Sequence, residues 1–338
     1  MPIHAFDDLL TLTTQALHHA GASLAQAAPT ALALVTAEAQ GLASHGLSRV
    51  PMYAGHLHAG RVLGQAQPRI QAERAGAVLV DAGNGFAFPA CALAVAEAVT
   101  RARHCGIAIG AVTNSHHFGA ASYHLGPAAD AGMVGLAFGN SPAAMPAAGG
   151  LRPIFGTNPL AAVFPRQGGL PVSIDLSLSE VARGKLMVAA KKGEAIPLGW
   201  ALDAQGQPTT DPARGLEGSM LPMGGTKGAM LALMVELLVT SLTGAQFGAE
   251  ADSFFVQQGN QPRLGQVFIV IDPGALAGSA AYIERVEALI CAMLVDDGVR
   301  LPGYRRWDLA ERGRQLGIEV ADAVLAPIHV LADSAPSV

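Results

Sequence analysis

The sequence predicts an α/β or α+β protein, and three features of its 338 residues lead to that prediction. Apolar residues make up 51% of the chain and charged residues only 14%, which suffices for a large buried core. The 40 glycines and 21 prolines fall between apolar segments, where they indicate turns. Segments with helical periodicity alternate with short β-branched runs, which indicates a sheet with helices.

The N-terminal part is predicted to be helical up to the first strand. Apolar residues between Phe6 and Leu17 recur at helical spacing. A second helix is expected to start near Pro29-Thr30 and to stop around Ser44-His45-Gly46, with the glycine as its C-terminal cap. Val78-Leu79-Val80 then predicts a strand that is closed by the turn Gly83-Asn84-Gly85.

Helical and strand patterns alternate along the rest of the chain. Helices are predicted over residues 90–104, 120–131, 179–192, 227–242, 280–294 and 307–316. Strands are predicted over residues 107–112, 133–138, 160–164, 172–174 and 267–271. We expect residues 1–75 and 270–338 to form one helical region, packed around a sheet-containing domain of residues 76–269.

Composition and charge argue against several classes of protein. The formal charge is −5, from 21 Lys and Arg against 26 Asp and Glu, so no basic face is available for nucleic acid. The most apolar stretch, residues 229–242, contains Glu236 and is shorter than the ~20 residues of a membrane span. Three scattered cysteines form no disulfide or zinc motif, and the N-terminus lacks a signal-peptide pattern, so we expect a cytoplasmic protein.

The sequence lacks the fingerprint of a Rossmann dinucleotide site. Gly83-Asn84-Gly85 is followed by Phe86, Ala87 and Phe88, so the third glycine of the motif is missing. Residues 224–228 contain three glycines and a lysine, but their spacing does not match a phosphate-binding loop. Any dinucleotide must therefore be held by another scaffold.

The stretch Ser44-His45-Gly46-Leu47-Ser48-Arg49 combines a hydroxyl, an imidazole and a guanidinium. His45 can transfer a proton near neutral pH, and Arg49 offers a planar fork for a carboxylate. If His45 ends a helix, the partial negative charge there would hold its proton more tightly. The alternative is an ordinary surface helix end with an incidental histidine and arginine.

Residues 114–120 follow a predicted strand directly. Small and polar residues at the carboxyl end of a strand expose backbone N–H groups to an anion such as a pyrophosphate. A metal is the competing interpretation for His116 and His117. Adjacent histidines point in different directions and have no partner four residues on, so we expect no metal.

Ordered blocks spread over roughly residues 5–325 resemble the type-2 malate/L-lactate dehydrogenase family, a group of NAD(P)-dependent oxidoreductases. The blocks are Ser44-His45-Gly46 with Arg49-Val50-Pro51, then residues 114–119, 155–159, 175–185, 199–203 with 206–212, and 224–228. The resemblance implies a cofactor bound on a mostly antiparallel sheet with helices outside, which is a non-Rossmann fold, and a homodimer.

The same resemblance implies roles for individual residues. His45 would donate a proton to the substrate oxygen or nitrogen, assisted by Ser44, and Lys185 would occupy the third catalytic position. The residues implied to bind the carboxylate substrate are Arg49, Thr157, Arg183 and Gly184. The residues implied to hold NADPH or NADH are His117, Phe118, Gly119, Ala120, Ala121, Asp175, Leu176, Ser177, Thr226, Lys227, Pro302, Gly303, Tyr304, Arg305 and Arg306.

Lys185 also bears on the choice of substrate. Cyclic ketimine reductases of the family have an aspartate at this position, whereas malate, lactate and sulfolactate members tend to have a lysine. A cation beside the pocket favours a 2-oxo acid with a second anionic group over an iminium, so we expect a malate- or sulfolactate-like substrate ahead of lactate. The alternatives are a piperideine- or pyrroline-2-carboxylate reductase, a ureidoglycolate or diketogulonate enzyme, and a binding protein that has lost turnover.

Overall fold

The computed structural model of the chain describes residues 2–335. Its helices are α1 (Phe6–His19), α2 (Leu24–Ala39), α3 (Val50–His58), α4 (Ala87–Cys105), α5 (Gly126–Asp130), α6 (Arg183–Lys192), α7 (Pro212–Glu217), α8 (Thr226–Glu236), α9 (Ser279–Met293), α10 (Tyr304–Leu316) and α11 (Asp322–Asp333). Its strands are β1 (Ile3–His4), β2 (Arg69–Arg74), β3 (Ala77–Asp81), β4 (Ile107–Ser115), β5 (Val134–Gly139), β6 (Met145–Pro146), β7 (Pro153–Phe155), β8 (Leu160–Phe164), β9 (Val172–Leu176), β10 (Ala201–Leu202), β11 (Pro208–Thr209), β12 (Ser219–Met220), β13 (Leu264–Ile271) and β14 (Ile318–Glu319).

A seven-stranded sheet forms the centre of the molecule, in the order β2-β3-β4-β13-β5-β8-β9. β3 and β4 are parallel, and every other neighbouring pair is antiparallel. The late strand β13 lies between β4 and β5. The expectation of a mostly antiparallel central sheet flanked by helices is confirmed.

Helices cover both faces of this sheet. On one face α4 packs very closely, since a Cβ on Gly110 of β4 would lie 2.1 Å from the carbonyl oxygen of Ala94 in α4. On the other face, Leu186 of α6 and Val235 of α8 share a core with Val267 of β13. Both faces of β13 are thus buried, which explains its almost continuous apolar sequence.

A separate core joins the two ends of the chain. Leu9 of α1, Leu34 of α2 and Tyr53 of α3 pack in the same buried cluster as Ile318 of β14 and Ile328 of α11. β1 pairs antiparallel with β14, which ties the N-terminus to the C-terminal segment. Residue 1 and residues 336–338 of the predicted helical region lie outside the described part of the chain.

The predicted boundaries of the second helix were wrong. α2 begins at Leu24, five residues before Pro29, and ends at Ala39. Pro29 lies inside the helix, where its missing N–H removes one hydrogen bond. Buried Ala27, Ala31 and Leu34 pack against the other terminal helices, and this burial outweighs the lost bond.

Three other predicted helices differ from the expectation in where they start or in their regularity. Residues 179–182 are not helical: the Ser179 hydroxyl donates to the carbonyl oxygen of Val181 at 2.8 Å, and α6 starts only at Arg183. The chain is helical over the whole predicted range 227–242, but α8 ends at Glu236 and continues as a π-helical turn (Leu237–Ser241), in which the Thr240 hydroxyl donates to the carbonyl oxygen of Glu236 at 2.7 Å. Residues 121–125 form a 3₁₀ turn before the short α5 rather than one longer helix.

In the region from residue 2 to residue 335, no helix has both the length and the hydropathy required to cross a lipid bilayer.

Candidate active site

A cavity of about 300 Å³ lies at one end of the central sheet. β4, β5 and β9 end at this edge, whereas β8 and β13 begin there, because they run antiparallel to their neighbours. The segments that leave or enter these strands supply much of the wall. The remaining wall comes from the turns after α2, the start of α6 and a side chain of α10.

The fold brings most of the predicted site residues to this one cavity. Those that line it are Ser44, His45, Arg49, His117, Phe118, Gly119, Ala120, Ala121, Thr157, Asp175, Ser177, Arg183, Gly184 and Arg306. Those that do not line it are Leu176, Lys185, Thr226, Lys227, Pro302, Gly303, Tyr304 and Arg305.

The chain between α2 and α3 forms two 3₁₀ turns, Ala43–His45 and Leu47–Arg49, that present His45 and Arg49. The Arg49 Nε donates to the carbonyl oxygen of Ser44 at 2.6 Å, and the Leu47 N–H donates to Oε2 of Glu38 at 2.8 Å. Gly46 lies directly against that carboxylate, since a Cβ there would be 2.2 Å from Oε2. The turn is therefore held from both ends.

Among residues 2–335 the ring of His45 has one hydrogen-bond partner, the Ser44 hydroxyl, whose Oγ lies 3.0 Å from Nδ1. Burial in the cavity wall lowers the pKa of His45 to about 4, and the Arg49 cation lowers it further than the Asp175 carboxylate raises it. The expectation that a helix end holds its proton more tightly was wrong. His45 ends a single 3₁₀ turn instead of α2, so it lacks the dipole of a long helix and faces a cation instead.

His117 lies beside His45. The two rings are stacked, with centroids 5.6 Å apart and planes inclined at 26°. His117 Nδ1 is 2.6 Å from the hydroxyl of Tyr53, which is fully buried in α3. Burial lowers the pKa of His117 well below its ordinary value, and the Arg49 cation adds to this effect. Both histidines of the cavity are therefore neutral at pH 7.

Two arginines face the cavity across one aromatic ring. The guanidinium carbon of Arg49 is 5.3 Å from the centroid of the Phe255 ring, and that of Arg183 is 5.7 Å away. Within residues 2–335, neither has a carboxylate within 4.0 Å, and Nε of Arg183 is buried with no hydrogen-bond partner. Burial lowers the pKa of both groups, as expected for cations without a counter-charge.

Asp175 joins three of the predicted cofactor-binding segments. Its Oδ2 accepts hydrogen bonds from the backbone N–H of Ser122 at 3.1 Å and from the Ser122 hydroxyl at 2.7 Å. The same oxygen is 3.2 Å from Nη1 of Arg306 in α10. The loop after β4, the end of β9 and the start of α10 therefore meet at one carboxylate.

Lys185 lies outside the cavity. It is exposed on α6, and its ammonium is 5.9 Å from the centroid of the Trp200 ring. This cation was expected to lie beside the substrate. In the structure the cation of this segment that reaches the cavity is Arg183, two residues earlier.

The loop of residues 252–260 also forms part of the site and was not predicted. Its Phe254 and Phe255 line the cavity, and it is held from below by Arg61, which is 1% exposed. The Arg61 guanidinium donates to the carbonyl oxygens of Asp252, Ser253, Val256 and Asn260, at distances from 2.5 to 3.0 Å. The adjacent phenylalanines in a polar, glycine-containing loop are the only sequence signal for this wall.

This combination of a neutral histidine pair, unpaired arginines and an open backbone loop at the end of a sheet suits a small carboxylate and a nicotinamide. The model of the malate/L-lactate dehydrogenase family matches residues 4–329. The chain is 49% identical to the (2R)-3-sulfolactate dehydrogenase (NADP(+)) of Chromohalobacter salexigens over 326 residues, which cover 96% of each protein. It is 39% identical to a Delta(1)-pyrroline-2-carboxylate/Delta(1)-piperideine-2-carboxylate reductase of Pseudomonas putida, again over 96% of each.

A solved structure shows the same fold. The delta1-piperideine-2-carboxylate reductase of Pseudomonas syringae superposes with a TM-score of 0.92 at 38% identity, covering 98% of this chain and all of the other. The chain belongs to the malate/L-lactate dehydrogenase family. It is an NAD(P)-dependent oxidoreductase.

Proposed function

We propose that the enzyme interconverts a 2-oxo acid that carries a second anionic group, of the sulfolactate or malate type, with the corresponding 2-hydroxy acid. One observation carries the proposal: Arg49 and Arg183 both face the cavity beside His45, and neither has a carboxylate partner among residues 2–335. Two half-buried cations without counter-charges suit a ligand with two anionic groups.

Each side chain has a task in this reaction. Arg49 and Thr157 hold the carboxylate next to the reacting carbon, while Arg183 and Gly184 hold the second anionic group. Neutral His45 accepts the hydroxyl proton when the hydroxy acid is oxidised. In the reverse direction the bound dianion offsets the charge of Arg49, so a proton on His45 is better tolerated and is donated to the carbonyl oxygen.

The cofactor is proposed to lie on the sheet edge, in a non-Rossmann arrangement, and its nicotinamide supplies or accepts the hydride. The residues fit such a group, because Asp175 joins the loop after β4 to Arg306 at the cavity, and Gly119 of this loop has a φ of +73°, a conformation that favours glycine. Exposed Lys227 and Arg305 offer cations for a 2′-phosphate, so we favour NADPH, as the name of the C. salexigens relative suggests.

A cyclic ketimine reductase is the second candidate, and the similarity to the P. putida enzyme favours it. A piperideine- or pyrroline-2-carboxylate has one carboxylate, which Arg49 and Thr157 would hold. His45 would then donate its proton to the ring nitrogen. In that case Arg183 would have no charge to bind.

A substrate panel with an Arg183→Met variant separates the two candidates. NADPH and NADH oxidation is followed with sulfopyruvate, oxaloacetate, pyruvate and piperideine-2-carboxylate. We expect the dianions to be preferred and Arg183→Met to lower their kcat/KM at least about 30-fold, because losing one partner of a buried charge pair costs about 2 kcal/mol or more. Pyruvate should be much less affected.

Lys185→Met is the matched control, since it removes a neighbouring cation that lies outside the cavity. A preference for piperideine-2-carboxylate, or equal losses in both variants, would contradict the proposed substrate class. Lack of turnover with every acid would indicate a binding protein.

We further propose a cytoplasmic homodimer in which residues 1–75 and 270–338 act as one helical unit, apart from β2 (Arg69–Arg74), which the structure places at the edge of the central sheet. The core shared by α1, α2, α3 and α11 supports this unit. Exposed apolar side chains on and just after α8 support dimerisation: Met230, Leu231, Leu233, Met234 and Leu237 are each 37–52% exposed. Light scattering on the wild type and on Met234→Glu tests this, with a dimer and a monomer expected.

A further inference from the structure

The hydroxyl of Tyr53 has a single hydrogen-bond partner in the described part of the chain. Tyr53 is fully buried between α3 and the loop after β4, and its hydroxyl lies 2.6 Å from Nδ1 of His117. A buried phenol that does not donate its proton is costly, because the O–H was hydrogen-bonded to water in the unfolded chain. The atom that accepts the Tyr53 hydroxyl proton therefore determines which nitrogen of His117 carries the ring proton.

Only one tautomer of His117 satisfies both groups. If Nδ1 carried the proton, Tyr53 would accept it and its own O–H would have no acceptor. If Tyr53 donates, Nδ1 is the acceptor and the ring proton sits on Nε2. Burial favours the neutral ring, since it lowers the pKa of His117 well below its usual range. The ring is thus fixed as a neutral Nε2–H donor.

The Nε2 side of His117 opens onto the cavity. His117 lines the cavity wall, and its Nε2 has no protein hydrogen-bond partner among residues 2–335 and is not among the sealed, unpartnered atoms. The ring stacks on His45 with centroids 5.6 Å apart. The two rings are thus close enough to contact the same bound substrate.

The two histidines differ in how their Nδ1 atoms are held. The partner of His45 is the exposed Ser44 hydroxyl, which can donate or accept because solvent and the cavity can take its proton. The partner of His117 is sealed and can only donate. His45 can therefore gain and lose a proton during turnover, whereas His117 keeps its Nε2–H throughout.

We propose that Tyr53 is a positioning residue that fixes His117 as an Nε2–H donor, and that this N–H binds the carbonyl oxygen of the substrate beside His45. The inference rests on the proposed function. As the C2–H bond forms, negative charge builds on this oxygen; His45 transfers a proton to it and His117 stabilises the charge without transferring one. Neither residue type nor spacing in the sequence distinguishes these two tasks.

Two isosteric variants of His117 test the role of each nitrogen. Glutamine places an amide N–H near the position of Nε2, whereas asparagine places its polar group near Nδ1. We expect His117→Asn to lower kcat by about 10²-fold, the usual loss for a missing oxyanion donor, and His117→Gln to retain most of it. The KM for the cofactor should stay within a factor of a few in both.

The tautomer is measured directly on the ligand-free protein by ¹⁵N NMR of the His117 ring. The wild type should show Nε2–H, and Tyr53→Phe should show a mixture of tautomers with a lower kcat. Tyr282→Phe is the matched control, because its hydroxyl donates at 3.2 Å to the carbonyl oxygen of Pro165, which follows the end of β8 opposite the cavity. It should change neither property.

Several results would overturn the proposal. These are an Nδ1–H signal in the wild type, equal losses in the glutamine and asparagine variants, or a loss confined to the KM of the cofactor. Thermal melts identify a variant that has merely lost stability. The proposed function is judged separately by the turnover of the wild type, so its failure is distinguishable from a failure of the His117 variants.

Discussion

The pH dependence of the two reaction directions depends on the proton affinity of His45. Its pKa in the ligand-free enzyme is lowered to about 4 by burial and by Arg49, against an ordinary value of 6.5. At pH 7 about one molecule in 10³ carries the proton, since each pH unit above the pKa costs a factor of ten. Reduction needs this protonated form, whereas oxidation needs the neutral form.

These fractions predict where each profile bends. Because kcat/KM reports the free enzyme, reduction should lose about tenfold per pH unit from pH 5 to pH 8, about 10³-fold in all. Oxidation should be flat over the same range. Because reduction consumes one proton, the slopes of log kcat/KM against pH in the two directions differ by one whatever the pKa. The pKa of His45 determines the pH at which each profile bends.

Initial rates with reduced cofactor and oxo acid, and with oxidised cofactor and hydroxy acid, measure both profiles at constant ionic strength. Lys185→Met should reproduce the wild-type bends, because this cation is outside the cavity. A bend near pH 6.5 in both directions, with reduction flat below it, would refute the assignment of a strongly depressed pKa to the proton-transfer group.

Three further predictions concern the framework of the site. Gly46→Ala should lower kcat/KM at least tenfold, because its Cβ would lie 2.2 Å from Oε2 of Glu38; steady-state kinetics should show partial recovery in the double variant with Glu38→Ala. Arg61→Met should lower the free energy of unfolding measured in urea by about 2–5 kcal/mol, because it leaves several partly buried carbonyl oxygens of the 252–260 loop without a donor; an unchanged free energy of unfolding would contradict this. Acid should also destabilise the fold, because burial lowers the pKa of His56 and of His124 to about 4. Between pH 6.5 and pH 4 the unfolded state therefore binds more protons than the folded state, so the contribution of these histidines to stability is complete above pH 6.5 and is lost as the pH falls. Each histidine contributes up to about 3 kcal/mol to the free energy of unfolding. Equal calorimetric melting temperatures at pH 7 and pH 4.5 would exclude this acid destabilisation.

Chemistry that is local in the chain could be predicted from the sequence. Ser44, His45 and Arg49 lie within one short stretch, so their combination is visible before the fold is known. The strands β3, β4, β5, β8, β9 and β13 were predicted from apolar runs such as that of β13. The exposed edge strand β2 has no such run and was wrongly included in the predicted helical region. The mostly antiparallel arrangement, in contrast, came from family resemblance and not from periodicity.

Features that depend on long-range packing could not be predicted. Arg61 holds the 252–260 loop, which lies some 190 residues away in sequence, and no local sequence pattern predicts such a contact. The pKa of His45 is likewise set by burial and by a facing arginine instead of by its position in the chain. Lys185 is close to the site in sequence but not in space. It follows Arg183 by two residues, and the rotation of α6 over those two residues turns it away from the cavity that Arg183 lines.

The position of β13 in the middle of the sheet has a consequence for biosynthesis. β2, β3 and β4 form one half of the sheet and β5, β8 and β9 the other, and only β13 connects them. A nascent chain on the ribosome therefore carries two unjoined sheet halves until residues 264–271 leave the exit tunnel. Until then the unpaired edges of β4 and β5 are open to other chains, so a stalled or truncated translation product that stops before residue 264 should aggregate and should depend on chaperones.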